Sequence, residues 1–275
     1  MSPGRITAST RRFRGRVLSS LSRRERFLIP ACIVVITLLA WIYLVHLSRQ
    51  MSADMEHDKM MAAMGMPMDM PFTAVDAFFT FTMWTVMMVG MMAPSASPML
   101  LLFASARAKR EESGVSLATL TFGLGYVAVW TAFSLAATLA QWGLHRAAML
   151  SPEMASASGR LSGAILLVAG AYQLTSWKNK CLTHCRSPLG FLMTNWRDGI
   201  AGAFQMGVRH GVDCLGCCWA LMCVLFVVGV MNLIWVAALT IFVLLEKVGP
   251  AGAMIARVAG AMMVVFGIVA IVGVF

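Results

Sequence analysis

The sequence predicts an all-α fold, a polytopic bundle of six or seven transmembrane helices. The 275 residues are 59% hydrophobic and only 12% charged, about half the charge of an ordinary soluble domain. Several apolar runs reach the ~20 residues needed to cross a bilayer. Positive charge orients the chain. Residues 1–26 carry eight arginines against one glutamate, and a basic segment ahead of a first span stays cytoplasmic. That tail supplies most of the formal net charge of +10, so the charge marks topology and no nucleic-acid partner is expected. An Arg- and Ser-rich start also suits an organelle transit peptide, but the apolar span directly after it favours a topology signal.

The first span is read at 27–47. Residues 48–71 follow as an external loop, with Asp54, Glu56, Asp58 and Asp69 against Arg49 and Lys59. Everything from 72 to 275 reads as one integral membrane domain. Span two covers 76–104 and returns the chain to the inside at Arg107, Lys109 and Arg110. Pro94 and Pro98 lie within it, and each removes a backbone donor, so a kink or break is expected. Span three is read at 117–140 and span four at 161–177. Between 178 and 209, Lys178, Lys180, Arg186, Arg197 and Arg209 face Asp198 alone, a second inside signal. Residues 189–207 are apolar but interrupted, and are expected along the interface or re-entering the membrane. Span five is read at 211–230, with Asn232 in a tight turn, then a short span at 233–246. Gly249–Pro250 ends it, and an apolar run at 258–275 closes the chain.

The chemistry is carried by soft ligands. Residues 51–70 hold eight methionines, and in the stretch MGMPMDM they alternate at Met64, Met66, Met68 and Met70. Alternate residues of an extended chain point to one side, which predicts a row of thioethers selecting soft ions such as Cu(I). His57 would add an imidazole. The plainer alternative is a Met-rich docking surface. In span two, Met83, Met87 and Met91 recur every four residues, as do Met88 and Met92, which places each series on a helix face. Apolar packing explains such methionines equally well when taken alone.

The third group is the cysteines. Cys181 and Cys185 form a C-x3-C with His184 inside it, and Cys214, Cys217 and Cys218 form a C-x2-C-C. Together they supply enough thiols for a tetrahedral zinc site or a Cu(I) site, and the adjoining basic loop favours thiolate. If 210–223 is helical, His210, Cys214, Cys218 and Met222 make one stripe, although Gly211 and Gly216 weaken that helix. Asp213 is a candidate to orient His210. Cys32 and Cys223 read as ordinary small hydrophobes. Glu246–Lys247 reads as an interfacial pair, unless Glu246 proves buried inside the membrane. No Walker loop, nucleophile elbow or Rossmann fingerprint is present, so a non-enzyme is favoured.

The stretches WTVMMVGMMAPSASP, YQLTSWKNKCLTHCRSPLGFL, GVRHGVDCLGCCWALM, VGVMNLIW and LLEKVGP resemble a bacterial family of predicted metal-binding integral membrane proteins. One member type is encoded beside a tyrosinase and is regarded as its copper chaperone. The resemblance covers roughly residues 72–275. It implies family-type positions at Met87, Met88, Met91, Met92, Cys181, Cys185, His210, Cys214, Cys217 and Cys218. Asp213 stands where an aromatic is expected in many relatives, which sets its orienting role apart from the family pattern. The expectation is therefore a multi-pass protein of the bacterial inner membrane that binds and delivers Cu(I), with zinc as the other metal considered. Its partners would be the lipid bilayer and a copper-dependent apo-enzyme or another membrane subunit. The competing readings are a membrane thiol–disulfide oxidoreductase, using paired thiols, and a structural zinc-binding subunit of a membrane complex.

Overall fold

A computed structural model describes residues 21–64, 73–110, 112–147, 158–249 and 251–273. The described residues are helical throughout, with no strand. In chain order the helices are α1 (Arg23–Ala63), α2 (Ala74–Lys109), α3 (Val115–Arg146), α4 (Gly159–Leu174), α5 (Ser176–Arg186), α6 (Pro188–Asn195), α7 (Gly199–Cys223), α8 (Leu225–Val228), α9 (Leu233–Val248) and α10 (Gly252–Val272).

Among the described residues, five stretches are long and apolar enough to cross a membrane: Arg23–Asp54, Ala74–Lys109, Val115–Arg146, Gly199–Val228 and Gly252–Val272. The expected spans four and six correspond to α4 and α9, which are 16 residues each and fall short of the ~20 that a full crossing takes. The outward faces suit a lipid surround. Leu38, Leu39 and Ile42 on α1, and Val258, Met262 and Val265 on α10, are exposed, a pattern that water disfavours over so large an area.

Several boundaries differ from the sequence reading. α1 does not stop at residue 47 but continues to Ala63, so the first part of the expected loop is helical. Met64 ends it in an exposed turn. Met66, Met68 and Met70 lie outside the described residues. α2 opens on a capping box in which Thr73 and Asp76 exchange side-chain and backbone hydrogen bonds. It then runs unbroken through Pro94 and Pro98. The Ser97 hydroxyl donates to the Pro94 carbonyl at 2.8 Å, replacing the donor that Pro98 lacks. α7 begins at Gly199, so residues 199–207 are the first turns of a long helix rather than an interfacial or re-entrant piece. The chain reverses after α8 through Gly229, at φ 91°, and Asn232, whose amide bonds the Gly229 carbonyl at 3.1 Å.

Two helix pairs approach almost backbone to backbone. On α3 and α7, a Cβ at Gly207 would stand 2.0 Å from the Phe122 carbonyl, and one at Gly125 would stand 2.3 Å from the Phe204 carbonyl. On α4 and α10, Gly163 and Gly170 face Gly267 and Gly260 in the same way. Small residues permit this closeness, and close packing is what holds helices together where lipid removes the hydrophobic drive. α7 is thereby clamped against α3, with α5 on another side, and its remaining face turns into the main core.

Candidate metal centre

That core joins the two ligand groups found in sequence. Met83, Met87, Met88, Met91 and Met92 of α2 are all buried, and so are Cys214, Cys217, Cys218 and Met222 of α7. All nine belong to one contiguous cluster, with Cys181 and Cys185 of α5 packed against it. The i, i+4 recurrence on α2 therefore does what it predicts: one face carries the thioethers inward. Gly211 and Gly216 do not break α7. Gly216 instead makes room for a ligand, since a Cβ there would stand 3.1 Å from Cys181 Sγ.

The thiols are close but folded back. Cys217 Sγ lies 3.8 Å from Cys185 Sγ. The Cys217 and Cys218 thiols donate to the Cys214 carbonyl at 3.0 and 2.9 Å, the local back-bonding that short polar side chains make in helices. Among the described residues no three His, Cys, Asp or Glu side chains form a ready-made metal site. The sequence reading favoured thiolate from the basic loop. For Cys181, on α5 outside the five long apolar helices, burial and then the neighbouring Cys217 push the thiol up instead. Desolvation disfavours the charged form, which keeps this thiol protonated.

Around Cys214 the surroundings are polar. Its sulfur lies 2.9 Å from the Tyr126 hydroxyl and 2.9 Å from Lys247 Nζ. The same ammonium is 3.3 Å from Ser95 Oγ and 4.0 Å from Met92 Sδ. Neither Tyr126 nor Lys247 was anticipated as part of the site. Nothing in sequence marks Tyr126. Lys247 had a signal, a charge within an apolar helix, but was paired on paper with Glu246. Neighbours at i and i+1 do not face each other on a helix. Glu246 instead pairs with Lys178 of α5, which also bonds Gln173. Lys178 is fully buried, so it is not the solvated loop cation counted in the topology reading.

The other predicted residues divide. His210 is buried on the same face as Cys214 and Cys218, as the stripe requires. It sits in an aromatic cage, stacked on Tyr126 at 5.7 Å and meeting Phe191 edge-on at 5.5 Å. Its Nδ1 has no hydrogen-bond partner among the described residues. His184 is exposed, and its Nδ1 lies 2.9 Å from the Lys180 carbonyl. Cys32 is exposed, and Cys223 lines an apolar hollow with Ala164, Ile165 and Trp219.

A family described as PpoB2, copper chaperone, matches residues 81–270. The chain belongs to this copper chaperone family. The match spans the inward face of α2, α5, α7 and α9, so every side chain of the thioether–thiol core lies within the family region. No curated protein and no solved structure matches the chain. The donor chemistry fits the family's metal. Thioethers and thiols are soft ligands that select Cu(I) over the hard cations, and they are gathered here in one buried core.

Proposed function

We propose that this chain is a multi-pass protein of the bacterial inner membrane that binds Cu(I) and delivers it to a copper-dependent apo-enzyme. The observation that supports this best is the merging of the α2 thioethers and the α7 thiols into a single buried cluster. Copper is cargo. Met87, Met88, Met91 and Met92 provide weak, exchangeable ligands. Cys185, Cys214, Cys217 and Cys218 provide stronger ones, with Cys181 at the edge. A graded series suits transfer, because the ion can move from weaker thioethers to stronger thiolates by exchanging one sulfur at a time.

The chain's own part is to exclude water, to hold the sulfurs within a rotation of one another, and to give up thiol protons as the ion binds. The hydrogen bonds from Cys217 and Cys218 to the Cys214 carbonyl hold these thiols turned away until copper draws them off it. His210 lies one helical turn before Cys214 with a free ring nitrogen and completes the set of candidate ligands. The Met64–Met70 segment precedes α2 in sequence and is assigned to capture or release of the ion. No bond of a substrate is made or broken, so the activity is transfer rather than enzymatic turnover.

The test is anaerobic purification of the full chain in detergent, loading with Cu(I), and a count of retained copper. About one or more equivalents should be retained by wild type. Changing Cys181, Cys185, Cys214, Cys217 and Cys218 together to Ser should remove it. Equal retention after the fivefold change, or zinc held in place of copper, would overturn the reading.

A further inference from the structure

Among the described residues, Lys247 sits inside the soft-ligand core with no carboxylate paired to it. The Lys247 side chain is buried, and the adjacent Glu246 is engaged by Lys178. A lysine ammonium offers three donors and no acceptor. Here they reach Cys214 Sγ at 2.9 Å, Ser95 Oγ at 3.3 Å and Met92 Sδ at 4.0 Å. Cys214 belongs to the thiol group on α7 and Met92 to the thioether group on α2, so the ammonium stands where the two groups meet.

We propose that Lys247 is a resident cation occupying the position between Met92 and Cys214 that Cu(I) must take. An ion bonded to both sulfurs would lie roughly 2.3 Å from the thiolate, as metal–thiolate bonds require. That is inside the space Nζ fills. Two like charges a few ångströms apart also repel strongly where water is excluded. The two cations are therefore mutually exclusive. Before loading, the ammonium satisfies the Cys214 sulfur together with the Tyr126 hydroxyl, so the sulfur is held by protein donors rather than left as an empty ligand. On loading, the Cu–S bond replaces the ammonium–sulfur contact, and the lysine swings away from Cys214 with Ser95 as its remaining partner. On release the lysine returns and takes the sulfur back. A built-in competitor weakens the hold on the ion and speeds its departure, which is what delivery requires.

This inference rests on the proposed copper reading, and its test separates the two. The full chain in detergent is loaded anaerobically with Cu(I) and challenged with excess bicinchoninate, and copper release is followed by absorbance. Lys247→Met keeps the length and removes the charge. Lys247→Gln does so without adding a thioether. Both should release copper more slowly than wild type, by about tenfold or more given the strength of a buried charge repulsion. Release at the wild-type rate or faster, from variants that elute as wild type does, overturns the proposal alone. A wild type that retains no Cu(I) overturns both readings. Wild-type protein loaded with Ag(I) gives a check that needs no variant: its structure should show Nζ withdrawn from Cys214 Sγ. Nζ still in hydrogen-bond contact with that sulfur overturns the proposal.

Discussion

Cys217 Sγ on α7 lies 3.8 Å from Cys185 Sγ on α5. The two sulfurs touch across helices that are separate in sequence, and a small rotation would let them bond. Treatment of the metal-free protein with diamide should therefore join Cys185 to Cys217, seen as one cross-linked peptide pair by mass spectrometry. The oxidised protein should take up markedly less Cu(I), because two thiols are consumed, and reduction should restore uptake. Failure of this pair to cross-link would contradict the α5–α7 contact. The same experiment bears on the oxidoreductase alternative, since a relay enzyme would also form mixed disulfides with a partner.

The α3–α7 contact sets a second expectation. A Cβ at Gly207 would stand 2.0 Å from the Phe122 carbonyl, and neither atom can rotate away because both are backbone-fixed. Gly207→Ala must push the helices apart and should cost about 1–3 kcal/mol, the usual range for overpacking. Thermal unfolding in detergent would register it as a lower midpoint. Gly143→Ala, where a Cβ meets nothing within 4 Å, should leave the midpoint unchanged or raise it slightly.

The buried Lys178–Glu246 pair makes a third. Removing one partner leaves an uncompensated buried charge and costs about 3–5 kcal/mol. Lys178→Met should thus destabilise the protein severely. Lys178→Met combined with Glu246→Leu removes both charges and should recover most of the loss. Midpoints of the three proteins, compared in one detergent, decide it; a double variant no better than the single would show that the pair is not the cause.

The thioethers can be separated from their packing role. Leu and Met have similar volumes, and such swaps usually cost less than about 1.5 kcal/mol. Changing Met87, Met88, Met91 and Met92 together to Leu should keep the fold and lower Cu(I) uptake or slow its exchange. Unchanged binding and exchange in a folded variant would return these residues to plain apolar packing.

Hydropathy, charge asymmetry and four-residue recurrence were enough to show an all-helical chain with helices fit for a membrane, the inward Met face of α2 and the His210–Cys214–Cys218–Met222 stripe. These are local properties: helical spacing decides which side chains share a face, whatever the face packs against. Helix ends were less readable. α1 runs past residue 47 and α7 begins before residue 211 because nothing in those flanks stops a helix, while apolar content alone marks where a span would leave lipid. The prolines of α2 do not end the helix, and beside Pro98 the Ser97 hydroxyl supplies the missing donor.

The centre itself depended on tertiary structure. The α2 thioethers and α7 thiols meet because Gly207 and Gly125 let α7 lie against α3, and because Gly216 admits Cys181 from α5. A glycine in sequence reads as a weak point of a helix, and only its neighbour shows it as a place of contact. Charge pairing was also non-local. Glu246 and Lys247 are consecutive, yet the helix turns them in different directions, one to Lys178 and the other to Cys214. The sequence by itself determined which soft ligands are present and how each helix displays them. Tertiary packing alone decided that they form one buried core, and that a lysine stands within it.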